Sequence, residues 1–336
     1  MIKLYKILFF NSMIIGTMIT ISAYSWFNMW IGLEINLLSI IPLMKSNKNK
    51  FPAEASLKYF ITQALASTMI LFAMILSLNL SDYIPNNLDY LFMMIMNSAL
   101  MTKLGAAPFH SWFPEVMEGL SWLNSLLLLT WQKLAPMVLI MYNLNMSFLL
   151  FVIITSSIIG GILGLNQTSL RKIMAYSSIN HIGWMLASML NLKLIWLNYF
   201  IIYSFISINI IFIFFKLNIF NLSQMFISMN SNKLINLFFI LNFMSLGGLP
   251  PFLGFFPKWI VISNLVLNQM YTLSVILIIT TLVTLYFYIR LTFSTLTLVS
   301  TENLIKINKM NNFFMLFMNT FTLLSLFLCT SIFNIL

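Results

Sequence analysis

Four charged side chains fall inside apolar runs long enough to cross a membrane: Glu34, Lys103, Lys133 and Lys258. A charge at the centre of such a span costs roughly 2.5–3.5 kcal/mol on insertion scales, so it marks a functional site by default. Lysine exchanges its proton readily when buried, whereas arginine stays charged, so three lysines at that depth suit reversible protonation. The chemistry open to this set is proton transfer through the membrane interior. An unpaired carboxylate there would be costly, so Glu34 is expected to be protonated or paired, with Lys103 as the expected partner. As a pair they could work as a proton switch; a fixed ion pair between two helices is the structural alternative. Lys133 lies too far from either end of its span to snorkel easily, and Lys258 is closer to a break than to an end.

Lys103 opens the stretch Lys103-Leu-Gly-Ala-Ala-Pro-Phe-His-Ser-Trp-Phe-Pro114, in which Gly105, Pro108 and Pro114 should break a helix. Open backbone at membrane depth belongs where it is buried in protein or lines a hydrated cavity. The form recurs downstream: Pro108-Phe-His-Ser-Trp-Phe-Pro114 and Pro251-Phe-Leu-Gly-Phe-Phe-Pro257 both read Pro-Phe-x-x-x-Phe-Pro, each after small residues. The shared feature is the break, because Lys103 precedes its motif while Lys258 follows the other.

His110, between the two prolines, and His181, in the polar run Ser177-Ser-Ile-Asn-His181, could pass protons between sites or could be hydrogen-bonded structural histidines. Glu115 and Glu118 could help feed protons in, although a solvated helix end is the simpler reading. Gly160 and Gly164 form a small-residue face of the kind that packs helices. A single cysteine, Cys329, and two histidines give no disulfide, no thiolate metal site, no iron–sulfur cluster and poor support for haem. No cofactor or metal is expected in this chain.

The elements that must position these residues are membrane helices. Of 336 residues, 60% are hydrophobic and 7% charged, against about 25% charged in a soluble domain. A net charge of +10 does not point to nucleic acid, because the basic residues are scattered between apolar runs and form no phosphate-binding patch. Spans of about 20 residues are expected near 8–24, 26–44, 56–78, 90–118 (broken), 121–142, 148–166, 171–190, 195–216, 236–269 (broken), 272–296 and 313–335. Residues 1–336 then form a single all-α transmembrane domain of about eleven helices. Lys3 and Lys6 resemble the start of a signal peptide, but without a small-residue cleavage site the first span is expected to be retained.

With that count, the N-terminal side collects nearly all the extramembrane lysines and arginines, and the other side Lys193 with Asp82 and Asp89. The positive-inside rule puts the N-terminus in the cytoplasm or matrix and the C-terminus outside. The broken spans stand fourth in each of two sets of five, 8–142 and 148–296, followed by a last helix at 313–335. Five being odd, the sets would run in opposite senses, which is the inverted-repeat plan of secondary transporters.

Six segments carry a family likeness: Trp30-Ile-Gly-Leu-Glu-Ile-Asn36, Glu54-Ala-Ser-Leu-Lys-Tyr-Phe60, Lys103-Leu-Gly-Ala-Ala-Pro-Phe-His110, Thr130-Trp-Gln-Lys-Leu-Ala-Pro136, Gly164-Leu-Asn-Gln-Thr168 and Leu246-Gly-Gly-Leu-Pro-Pro-Phe252. In order, over nearly the whole chain, they resemble the antiporter-like proton-pumping subunits in the membrane arm of respiratory complex I. The resemblance implies that Glu34, Lys103, Lys133 and Lys258 are the family's key glutamate and central lysines. It implies that NADH binding and redox chemistry belong to other subunits, that neighbouring membrane-arm subunits and phospholipids are the partners, and that the location is the mitochondrial inner membrane. That would put the N-terminus in the matrix and the C-terminus in the intermembrane space. Longer bacterial relatives carry extra N-terminal spans that this chain is expected to lack. Two other readings stay open: a free-standing cation/proton antiporter, which would exchange ions when purified alone, and a structural subunit that would tolerate neutralised lysines.

Overall fold

A computed structural model describes residues 4–45, 50–80, 87–229, 233–250, 252–297, 317, 319 and 320. The expected last span, 313–335, and Cys329 lie outside the described residues, apart from 317, 319 and 320. Among the described residues the chain is helical, with no strand and one isolated bridge between Ser169 and Asn221. In order the helices are α1 (Leu4–Ser22), α2 (Trp26–Met44), α3 (Phe51–Leu80), α4 (Asn87–Leu104), α5 (Trp112–Gly119), α6 (Trp122–Leu129) and α7 (Trp131–Tyr142). There follow α8 (Met146–Gly164), α9 (Leu170–Met189), α10 (Lys193–Leu217), α11 (Leu222–Met229), α12 (Lys233–Gly247), α13 (Phe255–Leu267) and α14 (Tyr271–Thr297). Among the described residues seven stretches are long and apolar enough to cross a membrane, α6 and α7 together counting as one. A helix suits that setting because it satisfies its own backbone polar groups, which lipid cannot.

The chain divides into two compact units, Met1–Val152 and Ile153–Leu336. In the first, α1 and α2 cross where glycines let their backbones touch. A Cβ on Gly32 would lie 2.8 Å from the Gly16 carbonyl oxygen, and one on Gly16 would lie 3.0 Å from the Asn36 amide nitrogen. This close crossing, of the small-residue kind, fixes the segment of α2 that carries Glu34. The Trp30 indole donates to the Ser67 carbonyl (3.1 Å), tying α2 to α3.

The expected span 121–142 is interrupted. Thr130 leaves helical geometry (φ −113°, ψ −74°) between α6 and α7, and its hydroxyl donates back to the Leu126 carbonyl (2.8 Å). Such back-bonding competes with the helix ladder, and Pro136 removes a donor further on. The interruption lies three residues before Lys133.

In the second unit α9 is buried on nearly every side although Ser177, Ser178, Asn180 and His181 lie along it. It is the unit's polar spine, packed by α10, α13 and α14. Beside it, Phe214, Phe239, Phe243 and Tyr288 form a chain of aromatic contacts with centroids 4.7–6.2 Å apart. Gly160 and Gly164 serve different neighbours: the first meets the α9 backbone at Asn180, the second the Phe287 ring on α14.

Candidate functional site

The two Pro-Phe-x-x-x-Phe-Pro segments are breaks of the same backbone design. Gly105 ends α4 at φ +73° and Gly248 follows the end of α12 at φ +76°, left-handed values that glycine adopts without strain. Each glycine amide donates to the residue three back, Thr102 (3.2 Å) or Ser245 (3.0 Å). Each following amide, of Ala106 or Leu249, donates five back, to Met101 (3.1 Å) or Met244 (3.3 Å). Such bonds close a helix C-terminus. The restarts also match, with Phe113 donating to His110 (3.0 Å) and Phe256 to Leu253 (3.2 Å). Every pair is related by one constant offset along the chain.

The last carbonyls before each break need donors, and the two breaks find them differently. After α4, the Trp112 indole donates to Thr102 (3.0 Å) and the Gln63 amide to Lys103 (3.4 Å). After α12, Lys258 supplies the donors: its Nζ reaches back from α13 to the carbonyls of Leu246 (3.1 Å) and Gly247 (2.9 Å). Leu246 is the register counterpart of Lys103. The Lys258 ammonium also lies 5.8 Å from the centroid of the Trp184 ring on α9, within cation–π range.

Lys103 is buried, 7% exposed, and faces a small cavity lined by Leu33, Asn36, Leu37, Tyr59, Gln63, Gln132 and Pro136. The ion pair expected with Glu34 is not a direct contact. Glu34 is half-buried on α2, and the ion pairs within 4 Å among the described residues are both made by Lys58. The reason lies in α2: Asn36 and Leu37 line the Lys103 cavity, and the polar group α2 presents there is an amide.

Lys133 is 1% exposed, in the first turn of α7 just past the Thr130 interruption. Its ammonium lies 6.0 Å from the centroid of Phe113, the phenylalanine of the first break motif. Lys133 is thus held against the restart of the broken helix, in the same unit as Lys103.

The histidines divide. His110 is half-buried in the open backbone of the first break, its Nδ1 3.3 Å from the Pro108 carbonyl. His181 is buried in α9, its Nδ1 2.9 Å from the Tyr199 hydroxyl and its ring 5.0 Å from that of Tyr203. Glu115 and Glu118 are exposed, and Glu115 pairs with Lys58 at 2.8 Å while Glu54 sits 3.2 Å from the same lysine. Among the described residues no group of three or more His, Cys, Asp or Glu could hold a metal ion. Reasoning from charge alone missed the uncharged partners, Asn36, Tyr59, Gln63 and Tyr199. The signal available was polar residues at buried positions in apolar spans, for Asn36 inside the same motif as Glu34.

The family profile described as NADH:quinone oxidoreductase/Mrp antiporter, transmembrane, matches residues 23–284. The NADH-ubiquinone oxidoreductase chain 2 of Anopheles gambiae is 51% identical over 299 residues, covering 87% of this chain and 86% of that one. In fold, the chain is similar to a chain of respiratory complex I from Thermus thermophilus. The TM-score is 0.84 at 21% identity, over 96% of this chain and 79% of that one. It is also similar to a chain of the Mrp complex from a Dietzia species, with a TM-score of 0.71 at 16% identity over 85% and 59% of the two chains.

Proposed function

The chain belongs to the NADH-ubiquinone oxidoreductase chain 2 family, and from that premise we propose that it carries protons across the membrane through Glu34, Lys103, Lys133 and Lys258. It is a multi-pass membrane-arm subunit of the NADH–ubiquinone oxidoreductase complex, working beside other membrane-arm subunits. In this reading electron transfer from NADH to ubiquinone takes place in other subunits, and this one acts as a translocase without a redox centre or cofactor of its own. Quinone reduction elsewhere perturbs Glu34 and Lys103, and the proton moves on through Lys133 and Lys258 by way of water. His181 is the further relay group within the second unit.

The observation that carries the reading is that all three lysines are at least nine-tenths buried, and each is built into or against a helix interruption. Lys103 closes α4, Lys258 caps α12, and Lys133 follows the Thr130 break and faces Phe113. Interrupted helices at membrane depth belong where backbone lines a hydrated or protein-buried path. A shared break design in the two units supports two inverted repeats, 8–142 and 148–296, within about eleven spans. The basic-residue asymmetry supports an inner-membrane orientation with the N-terminus in the matrix and the C-terminus in the intermembrane space, with phospholipids around the exposed apolar faces.

The deciding experiment replaces Lys133 by Met in the whole complex and measures protons moved per electron after reconstitution into liposomes. The reading expects an assembled complex with reduced stoichiometry. A normal ratio removes Lys133 from the path and favours a structural subunit.

A further inference from the structure

The cavity beside Lys103 holds a feature that the lysine–glutamate path leaves unused. Gln132 on α7 donates from Nε2 to the Asn36 Oδ1 on α2 (2.9 Å), and the Tyr59 hydroxyl on α3 reaches Gln132 Oε1 (3.3 Å). All three side chains line the cavity with Lys103. The chain Tyr59–Gln132–Asn36 thus links three helices around one buried ammonium. Asn36 is two residues from Glu34, and Gln132 is next to Lys133. The pair therefore joins the helix bearing the carboxylate to the helix bearing the next lysine.

Lys103 supplies a second observation. Its ammonium has three donors, is more than nine-tenths buried, and has no hydrogen-bond or ion-pair acceptor among the described residues. Asn36 Oδ1 and the Tyr59 oxygen each keep a spare lone pair, and the cavity has space for about one water. A water there would accept from Lys103 and donate to either oxygen. Neither amide can trade protons itself at ordinary pH, so their role is placement.

We propose that Asn36 and Gln132 are positioning residues for proton transfer at Lys103: their amide bond holds α2 to α7 and presents a water to the ammonium in place of a direct carboxylate contact. This rests on the reading that Lys103 handles protons. It explains why Glu34 and Lys103 can be coupled without touching. A movement of α2 that shifts Glu34 also shifts Asn36, and with it the acceptor that Lys103 sees.

The test uses the whole complex carrying Asn36→Leu, Gln132→Leu or both, with Lys103→Met alongside. Leu matches the branching of Asn and is close in bulk to Gln, and it removes the hydrogen bonds of either amide. Protons moved per electron are measured in liposomes, per assembled complex and across a pH series. Each single variant is expected to lower the ratio, to move its pH profile, and to approach the loss seen with Lys103→Met. The double variant should be no worse than the more affected single, since the Asn36–Gln132 bond is already lost in each single variant. Tyr59→Phe, which removes one hydroxyl, provides the check if a Leu variant does not assemble, and is expected to lower the ratio by a smaller amount. A normal ratio in Tyr59→Phe or in either assembled single variant overturns the proposal. So do additive losses, or a fall in complex abundance with an intact ratio and pH profile. A normal ratio in Lys103→Met would instead remove the reading on which the proposal stands.

Discussion

The Lys258 ammonium is bonded to the Gly247 carbonyl at 2.9 Å, so the side chain that opens α13 closes α12. A second bond, to Leu246 at 3.1 Å, makes the lysine a cap as well as a candidate proton carrier. In the first unit the carbonyls at the end of α4 are served by Trp112 and Gln63, which leaves Lys103 free of that task. The two lysines differ in what their removal should do.

Lys258→Met should reduce the amount of assembled complex as well as its pumping. It leaves two buried carbonyls without their donor, at about 1–3 kcal/mol for each unsatisfied group. Lys103→Met leaves the end of α4 capped and should assemble normally. Native gels of solubilised membranes, followed by thermal inactivation of the complex, would separate the two. Equal abundance of both variants would show that the cap is dispensable.

Lys133→Met should behave differently again. The side chain is 1% exposed and lies against Phe113, and Met has nearly its volume without the charge. A buried ammonium carries a desolvation cost that Met does not. Assembly is therefore expected to hold while the proton-to-electron ratio falls, and the ratio measured on complex of equal abundance is the readout.

The helices and the two large breaks were legible because their signals are local: apolar runs of spanning length, and glycine and proline inside them. The expected spans 26–44 and 195–216 fall on α2 and α10, and the breaks fall at Gly105 and Gly248. The interruption at Thr130 was less visible. A threonine in an apolar run bonds back to its own helix in many settings, and only the neighbouring packing decides whether the helix bends or parts. The Glu34–Lys103 contact was misjudged for a related reason. Sequence shows which charges share the membrane interior, but the rotation of α2 decides which side chain faces the lysine, and Asn36 takes that place.

Glu34→Gln tests coupling through space. With no ion-pair contact to break, the loss of charge should leave assembly intact, in contrast to the 3–5 kcal/mol penalty typical of splitting a buried pair. Pumping should fall, since the field at Lys103 is removed while the cavity stays built. Abundance and proton-to-electron ratio, measured together, decide it; a collapse in abundance would mean that Glu34 is structural.

Glu115→Gln should change little. Its pair with Lys58 is short, 2.8 Å, but the two side chains are 56% and 44% exposed, and Glu54 remains beside the same lysine. Pairs of that exposure contribute about 0.2–1 kcal/mol. The variant should keep both abundance and ratio. A lowered ratio at high pH, where protons are scarce, would show that Glu115 gathers them.

The α1–α2 crossing gives the sharpest stability prediction, because backbone cannot give way as a side chain can. A Cβ at Gly32 would sit 2.6 Å from the Thr20 methyl, 2.8 Å from the Gly16 carbonyl oxygen and 2.9 Å from the Thr20 amide nitrogen. At Gly16 the nearest atoms are 3.0–3.2 Å away. Gly32→Ala must therefore push the helices apart, and overpacking of this kind typically costs about 1–3 kcal/mol. Gly16→Ala asks for a few tenths of an ångström and should be milder. Since Gly16 also packs against the Asn36 amide, displacing α1 loosens the helix that sets Glu34 and Asn36 against the Lys103 cavity. The expected order of complex abundance is wild type, then Gly16→Ala, then Gly32→Ala, with the proton-to-electron ratio of surviving complex falling in the same order. If Gly32→Ala proves as abundant and as well coupled as wild type, the close crossing is not what holds α2 in place.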